Sequence, residues 1–237
     1  MYFGLFDEVH KTALVDLEEK TPTKRAPTGI YDSGILCQDC DNRILGTLEN
    51  YGKKILCTND SFKNFHESNE IIESGGLKSA IVQVADYIKF KLFLISLLWK
   101  MHISKNSFFS QVDLGSIHSE NLRKKILNHE KIMETEYEVA IIGIDKKIPD
   151  LITSIIGRPR KIKSNSNTYY VSIINGLFFM FNISPIDKLE LITKSNLKEN
   201  GRMLIPFLEG QIAKFFYDSI NQVRVRRDIS GKEKAGT

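Results

Sequence analysis

The stretch "KFKLFLISLLWK", residues 89–100, limits this chain more than any other. Its uncharged run, Leu92–Trp99, is eight residues long. A helix that spans a bilayer needs about 20. The run must therefore be buried inside the protein rather than in a membrane. Apolar residues continue at helical spacing from Leu77 to Ile103, among them Phe90, Phe93, Leu97, Leu98 and Trp99. The expectation is a central core helix over that range, broken once near Asp86. With 237 residues, 42% hydrophobic and 26% charged, the chain has enough material to enclose it without cross-links. That length suits one large domain or two small ones.

The rest of the chain divides around this helix. Residues 1–28, with Pro22 and Pro27, read as an extended loop. "RILGTLENYGKKIL" (43–56) places Ile44, Leu45, Leu48, Tyr51, Ile55 and Leu56 on one helical face, with Asp41 or Asn42 as its cap. Gly46 and Gly52 weaken that helix. Residues 57–76 are polar and end in "ESGG", a linker. "SIHSENLRKKILNHEK" (116–131) predicts a second helix, and "YEVAIIGID" (137–145) a buried strand. "IPDLITSIIG" (148–157) has the Pro-first, Gly-last pattern of a short helix. Residues 160–184 predict strand, turn, strand, turn, strand, with Asn175-Gly176 as a hairpin signal, because both central residues of a type I′ turn need positive φ. "IPFLEGQIAKFFYDSINQV" (205–223) reads as a closing amphipathic helix.

Two of the three cysteines stand in "GILCQDCDN" as Cys37 and Cys40. A structural zinc site takes four ligands, so one C-x-x-C is half of one. A thiolate at a helix N-terminus is favoured by the helix dipole, and here an amphipathic helix follows. For the other half, His10 is the only upstream candidate, and Cys57 and His66 lie downstream. At about 1.5 Å per residue, an unbent helix would put Cys57 roughly 20 Å or more from Cys40. The pair is therefore either completed within the chain by Cys57 and His66, completed by another chain, or a relic. A redox C-x-x-C is disfavoured, since no thioredoxin-like strand precedes it. Three cysteines and no signal-peptide pattern point to a reducing, cytoplasmic setting.

The net charge is +4, too mild to require nucleic acid. Part of the excess lies in "RVRRDISGKEKAGT" (224–237). Lys24, Arg25, Arg43, Lys53 and Lys54 flank the cysteines and are the candidate phosphate contacts; a solvated surface is the plainer reading. "RPRK" (158–161) is a similar short basic run. Asp32, Asp39, Asp41 and Glu49 suit Mg²⁺ or ordinary solvated positions. His102 reads as a half-buried, satisfied histidine, and His118 and His129 as solvated. The aromatics of "YYVSIINGLFFMF" read as core rather than a base-stacking platform. P-loop, HExxH and G-x-S-x-G patterns are absent.

"GIYDSGILCQDCDNRILGTLENYGKKIL", "YIKFKLFLISLLWKMHISKNSFFSQVDLG" and "ENLRKKIL" together resemble a group of bacterial HNH-endonuclease-like proteins, over roughly residues 28–130. The resemblance implies that Cys37 and Cys40 are zinc ligands. It also implies an upstream C-x-x-C and a "HIIP"-type histidine, the general base for phosphodiester cleavage beside a metal. This sequence supplies neither, and His10 lacks that context. The chain is thus expected to be truncated or degenerate in its catalytic segment. The implied setting is DNA, in defence against phage or mobile elements, with Zn²⁺ and, if catalytic, Mg²⁺ or another divalent ion. The alternative is a non-enzymatic assembly subunit whose cysteines a partner protein or second copy completes.

The expected fold class is α+β: a small zinc-knuckle-like N-terminal module (1–70), a helical core (71–135), an α+β domain with antiparallel hairpins and a closing helix (136–225), and a basic disordered tail (226–237).

Overall fold

The computed structural model describes residues 12–16, 24–26, 30, 32–58, 61–62, 70–74, 77–144, 155–164, 166–184, 186 and 189–209. Helices and a mixed sheet share one core, so the α+β expectation holds at that level.

Helix Tyr87–Ile103 (named α2 from its place in the chain) is the centre. Every residue from Phe90 to Trp99 is buried, as a helix apolar on nearly all sides requires. Its start is set by Asp86, whose carboxylate accepts the Lys89 N–H at 3.0 Å. The break expected near Asp86 is therefore real, but the chain before it is no helix. Leu77–Gln83 is a strand (β6), with Ala80 and Val82 buried in the two-residue alternation of a strand. Helix α1 (Gly46–Leu56) packs against α2, and a seven-residue π-helical segment, Asp39–Leu45, leads into it. Asp41 and Asn42 lie inside that segment and not at its cap; Gln38 holds the cap position without a side-chain bond. Helix α3 (Gly115–Leu127) buries Leu122 and Ile126.

Among the described residues one ten-stranded sheet lies against these helices. Its strands are β1 (Thr12–Val15), β2 (Lys24–Ala26), β5 (Glu70–Ser74), β6, β7 (Glu138–Ile144), β8 (Ile155–Gly157), β9 (Arg160–Ser164), β10 (Asn167–Ile174), β11 (Leu177–Asn182) and β12 (Arg202–Leu208). The order is β2-β1-β8-β10-β11-β7-β12-β6-β5, with β9 also paired to β10. The β1/β8 and β7/β12 pairs are parallel. A separate ladder joins β3 (Cys57–Thr58) to β4 (Ser61–Phe62). The three strands expected over 160–184 are present, and Asn175 (φ 53°) and Gly176 (φ 78°) make the turn between β10 and β11.

Several expectations give way. The loop of residues 1–28 contains β1 and β2, and the linker at 57–76 contains β3, β4 and β5. Ile155–Gly157 is a strand; residues 148–154 lie outside the described residues. The closing helix does not begin at Ile205. Met203, Ile205 and Phe207 alternate inward on β12, which pairs with β6 on one side and β7 on the other. Residues 210–237, including the expected tail, lie outside the described residues. The C-terminal sheet is neither purely antiparallel nor confined to 136–225: one sheet draws strands from each of the expected segments 1–70, 71–135 and 136–225. No helix among the described residues is long and apolar enough to cross a membrane.

Candidate functional site

The cysteine pair sits where residues 32–37 lead into the π-helical segment. Gly34, at φ 74°, makes a left-handed turn in that loop. The Cys40 N–H donates to Cys37 Sγ at 3.3 Å, and the Asp41 N–H to the Cys37 carbonyl at 3.0 Å. Cys37 is exposed and Cys40 half-buried. Hydrogen bonds from the Cys40 and Asp39 N–H groups hold the Cys37 thiol below its ordinary value. Cys40, bonded to that sulfur and partly desolvated, is pushed above its own. Backbone donors trained on a sulfur stabilise a thiolate, the form that binds metal.

Two arginines are close enough for their charges to act on Cys40: Arg43 and Arg123. Each forms a two-point bond with its own helix's carboxylate, Arg43 with Asp39 (2.6 and 2.8 Å) and Arg123 with Glu120 (2.6 and 2.7 Å). Asp39 is held below the usual carboxylate range by Arg43.

The other candidates are not gathered here. Cys57 caps the far end of α1 and lines a cavity of about 160 Å³ with Gly52, Lys53, Phe93 and Phe179. The helical segments between Cys40 and Cys57 hold them on the order of 20 Å apart. Among the described residues no three His, Cys, Asp or Glu side chains form a metal-sized group. His66 and His10 lie outside the described residues. Arg43 is at the start of the helical run, and Lys53 and the exposed Lys54 are at its end. Lys24 and Arg25 are on β2, at the edge of the sheet. The five basic candidates thus occupy three separate places.

Sequence reasoning missed a cleft of about 340 Å³ between Ile30, residues 32–41, the C-terminal half of α2 and the sheet residues Ile156 and Ile174. Four of its polar side chains pair off: Asp32 accepts from Ser104, and Glu49 forms an ion pair with Lys100; Asp41 lines it as well. Burial works to raise the Glu49 carboxyl, positive charge with Lys100 foremost works to lower it, and the group titrates below the usual range. Asp32 and Glu49 stood out in the sequence only as acids near the cysteines; their partners are 72 and 51 residues away. His102 is structural, its Nδ1 3.3 Å from both the Val112 carbonyl and the Leu114 N–H.

Compared with protein-family models, with curated proteins and with solved structures, the chain finds no match.

Proposed function

We propose that this chain is an HNH-endonuclease-like protein that works on or beside DNA, with Cys37 and Cys40 as half of a zinc site. The observation that carries the reading is the N–H···Sγ turn at the entry to a helix, which holds one exposed and one half-buried cysteine in a single turn. That donor set suits Zn²⁺, which prefers sulfur and nitrogen in a tetrahedron. Bound zinc would supply a structural clamp between this turn and whatever carries the other two ligands. His66 and His10 are the in-chain candidates for them. Arg43 and Arg123 flank the turn and suit phosphate oxygens, at the cost of their present carboxylate partners.

One observation favours a second reading. Cys57 lies at the opposite end of α1 from the pair, so the third cysteine does not close the site. On this reading a second copy or a partner protein completes it, and the chain is an assembly subunit.

Metal content separates the two. About one zinc per chain by elemental analysis, lost in C37S and C40S and reduced in H66A, supports the in-chain site. About half a zinc per chain in a dimer supports the shared one. Metal-free protein that stays folded, monomeric and inert to added zinc overturns both.

A further inference from the structure

A second group of basic residues lies on the sheet. It begins with a slip in register. Ile156 of β8 faces Ile174 of β10, whereas Arg160 of β9 faces Val171. One extra residue is therefore accommodated around Arg158-Pro159, a β-bulge, where Pro159 offers no N–H to a ladder. The bulge lets two arginines converge on one buried carboxylate. Arg158 meets Asp16 at 2.9 Å, and Arg160 pairs with the other oxygen of the same group. Arg158 also donates to the Ser107 carbonyl (3.1 Å) and the Ser110 hydroxyl (3.2 Å), and the Lys161 N–H reaches Gln111 at 3.5 Å. The loop carrying Lys105 is thereby strapped to β9.

Beyond the bulge, Lys161 and Lys163 share one face of β9, opposite Tyr170 and Thr168. Both are exposed, as is Lys105. Among the described residues no carboxylate pairs with any of the three. Lys161 leans over the Tyr170 ring, with its ammonium 5.8 Å from the centroid. The nearby acids are engaged. Asp16 is buried between the arginines, Asp32 takes the Ser104 hydroxyl, and Asp113 takes the Gly115 N–H.

We infer that β9 and its strapped loop form a landing surface for the phosphate backbone of nucleic acid, with Lys161 and Lys163 as the contacts. The inference rests on the DNA reading of function but not on zinc. Lysines that neutralise phosphates release counterions, so each one adds close to one unit to the slope of log affinity against log salt.

The test uses the full chain and a short fluorescent DNA duplex, with binding read by anisotropy between roughly 50 and 200 mM salt. K161Q/K163Q should give a slope shallower by about two, so that wild type loses about tenfold more affinity over that range. Its melting temperature should be unchanged, since both side chains are exposed. K53Q/K54Q is the comparison, because it alters two lysines on a different element, the last turn of α1. A slope that moves only in K53Q/K54Q overturns the inference, as does absence of DNA binding by wild type. Unchanged DNA binding with new self-association in K161Q/K163Q also overturns it, and would make the lysines guards against strand pairing at a sheet edge. Loss of slope in a chain that holds no zinc would sink the metal reading and leave this one standing.

Discussion

Gly52 looks like a flaw in α1, since glycine inside a helix costs about 1 kcal/mol relative to alanine. The structure gives it a purpose. A Cβ at that position would overlap the Phe93 ring, so its absence lets α1 lie directly on α2. G52A should therefore lower stability by about 1–3 kcal/mol despite the better helix former, and adding F93L should recover part of the loss. Denaturant unfolding of the three proteins checks this; a G52A protein more stable than wild type would show that the ring moves aside freely. Sequence alone could not have made the distinction. Asn175-Gly176 was legible because its turn needs only its own two φ angles. Gly52 was not, because its reason lies on another helix. The candidate site divides the same way. The Cys37–Cys40 turn is local and was legible, whereas the Asp32–Ser104 and Glu49–Lys100 pairs exist only once distant segments meet.

Among the elements, α2 owes its first turn to Asp86. The Lys89 N–H bonds the Asp86 carboxylate, and the Asp86 N–H donates to the Tyr51 hydroxyl at 2.7 Å, which ties the start of α2 to α1. D86A should cost about 1 kcal/mol, the usual value of a lost cap. The Lys89 N–H also holds the Asp86 carboxyl below its ordinary value. The sign follows from that: the contribution is complete above the unfolded-state carboxylate pKa, near 4, and is lost as pH falls through the lower folded value. Stability curves of wild type and D86A should thus run apart at neutral pH and converge in acid; a constant gap would assign the loss to packing instead. The sequence showed the break at Asp86 but not what precedes it. Leu77–Gln83 has the β-branched Ile81 and Val82 and a short alternating pattern, yet its strand partners are β5 and the distant β12. A helix carries its hydrogen bonds within itself, and a strand borrows them, which is why the helical middle was the more legible part.

At the scale of the whole molecule, the sheet decides what can fold alone. β12 lies between β6 and β7, and its Met203, Ile205 and Phe207 enter the same core as Leu48, Leu98 and Ile126. A fragment of residues 1–135 keeps α2 but loses the strands that cover it. Such a fragment should show no cooperative thermal transition, and the intact chain should melt in one. A sharp transition in the fragment would restore the separate helical domain expected from sequence. The same topology has a consequence during synthesis. β6 is complete roughly ten seconds before β12 emerges from the ribosome, at ordinary elongation rates of about 5–20 residues per second. Over that interval one flank of β6 has no partner strand, while the most apolar helix of the chain follows directly behind it. The nascent chain therefore carries an open strand edge and an uncovered apolar helix together through the middle of its own translation.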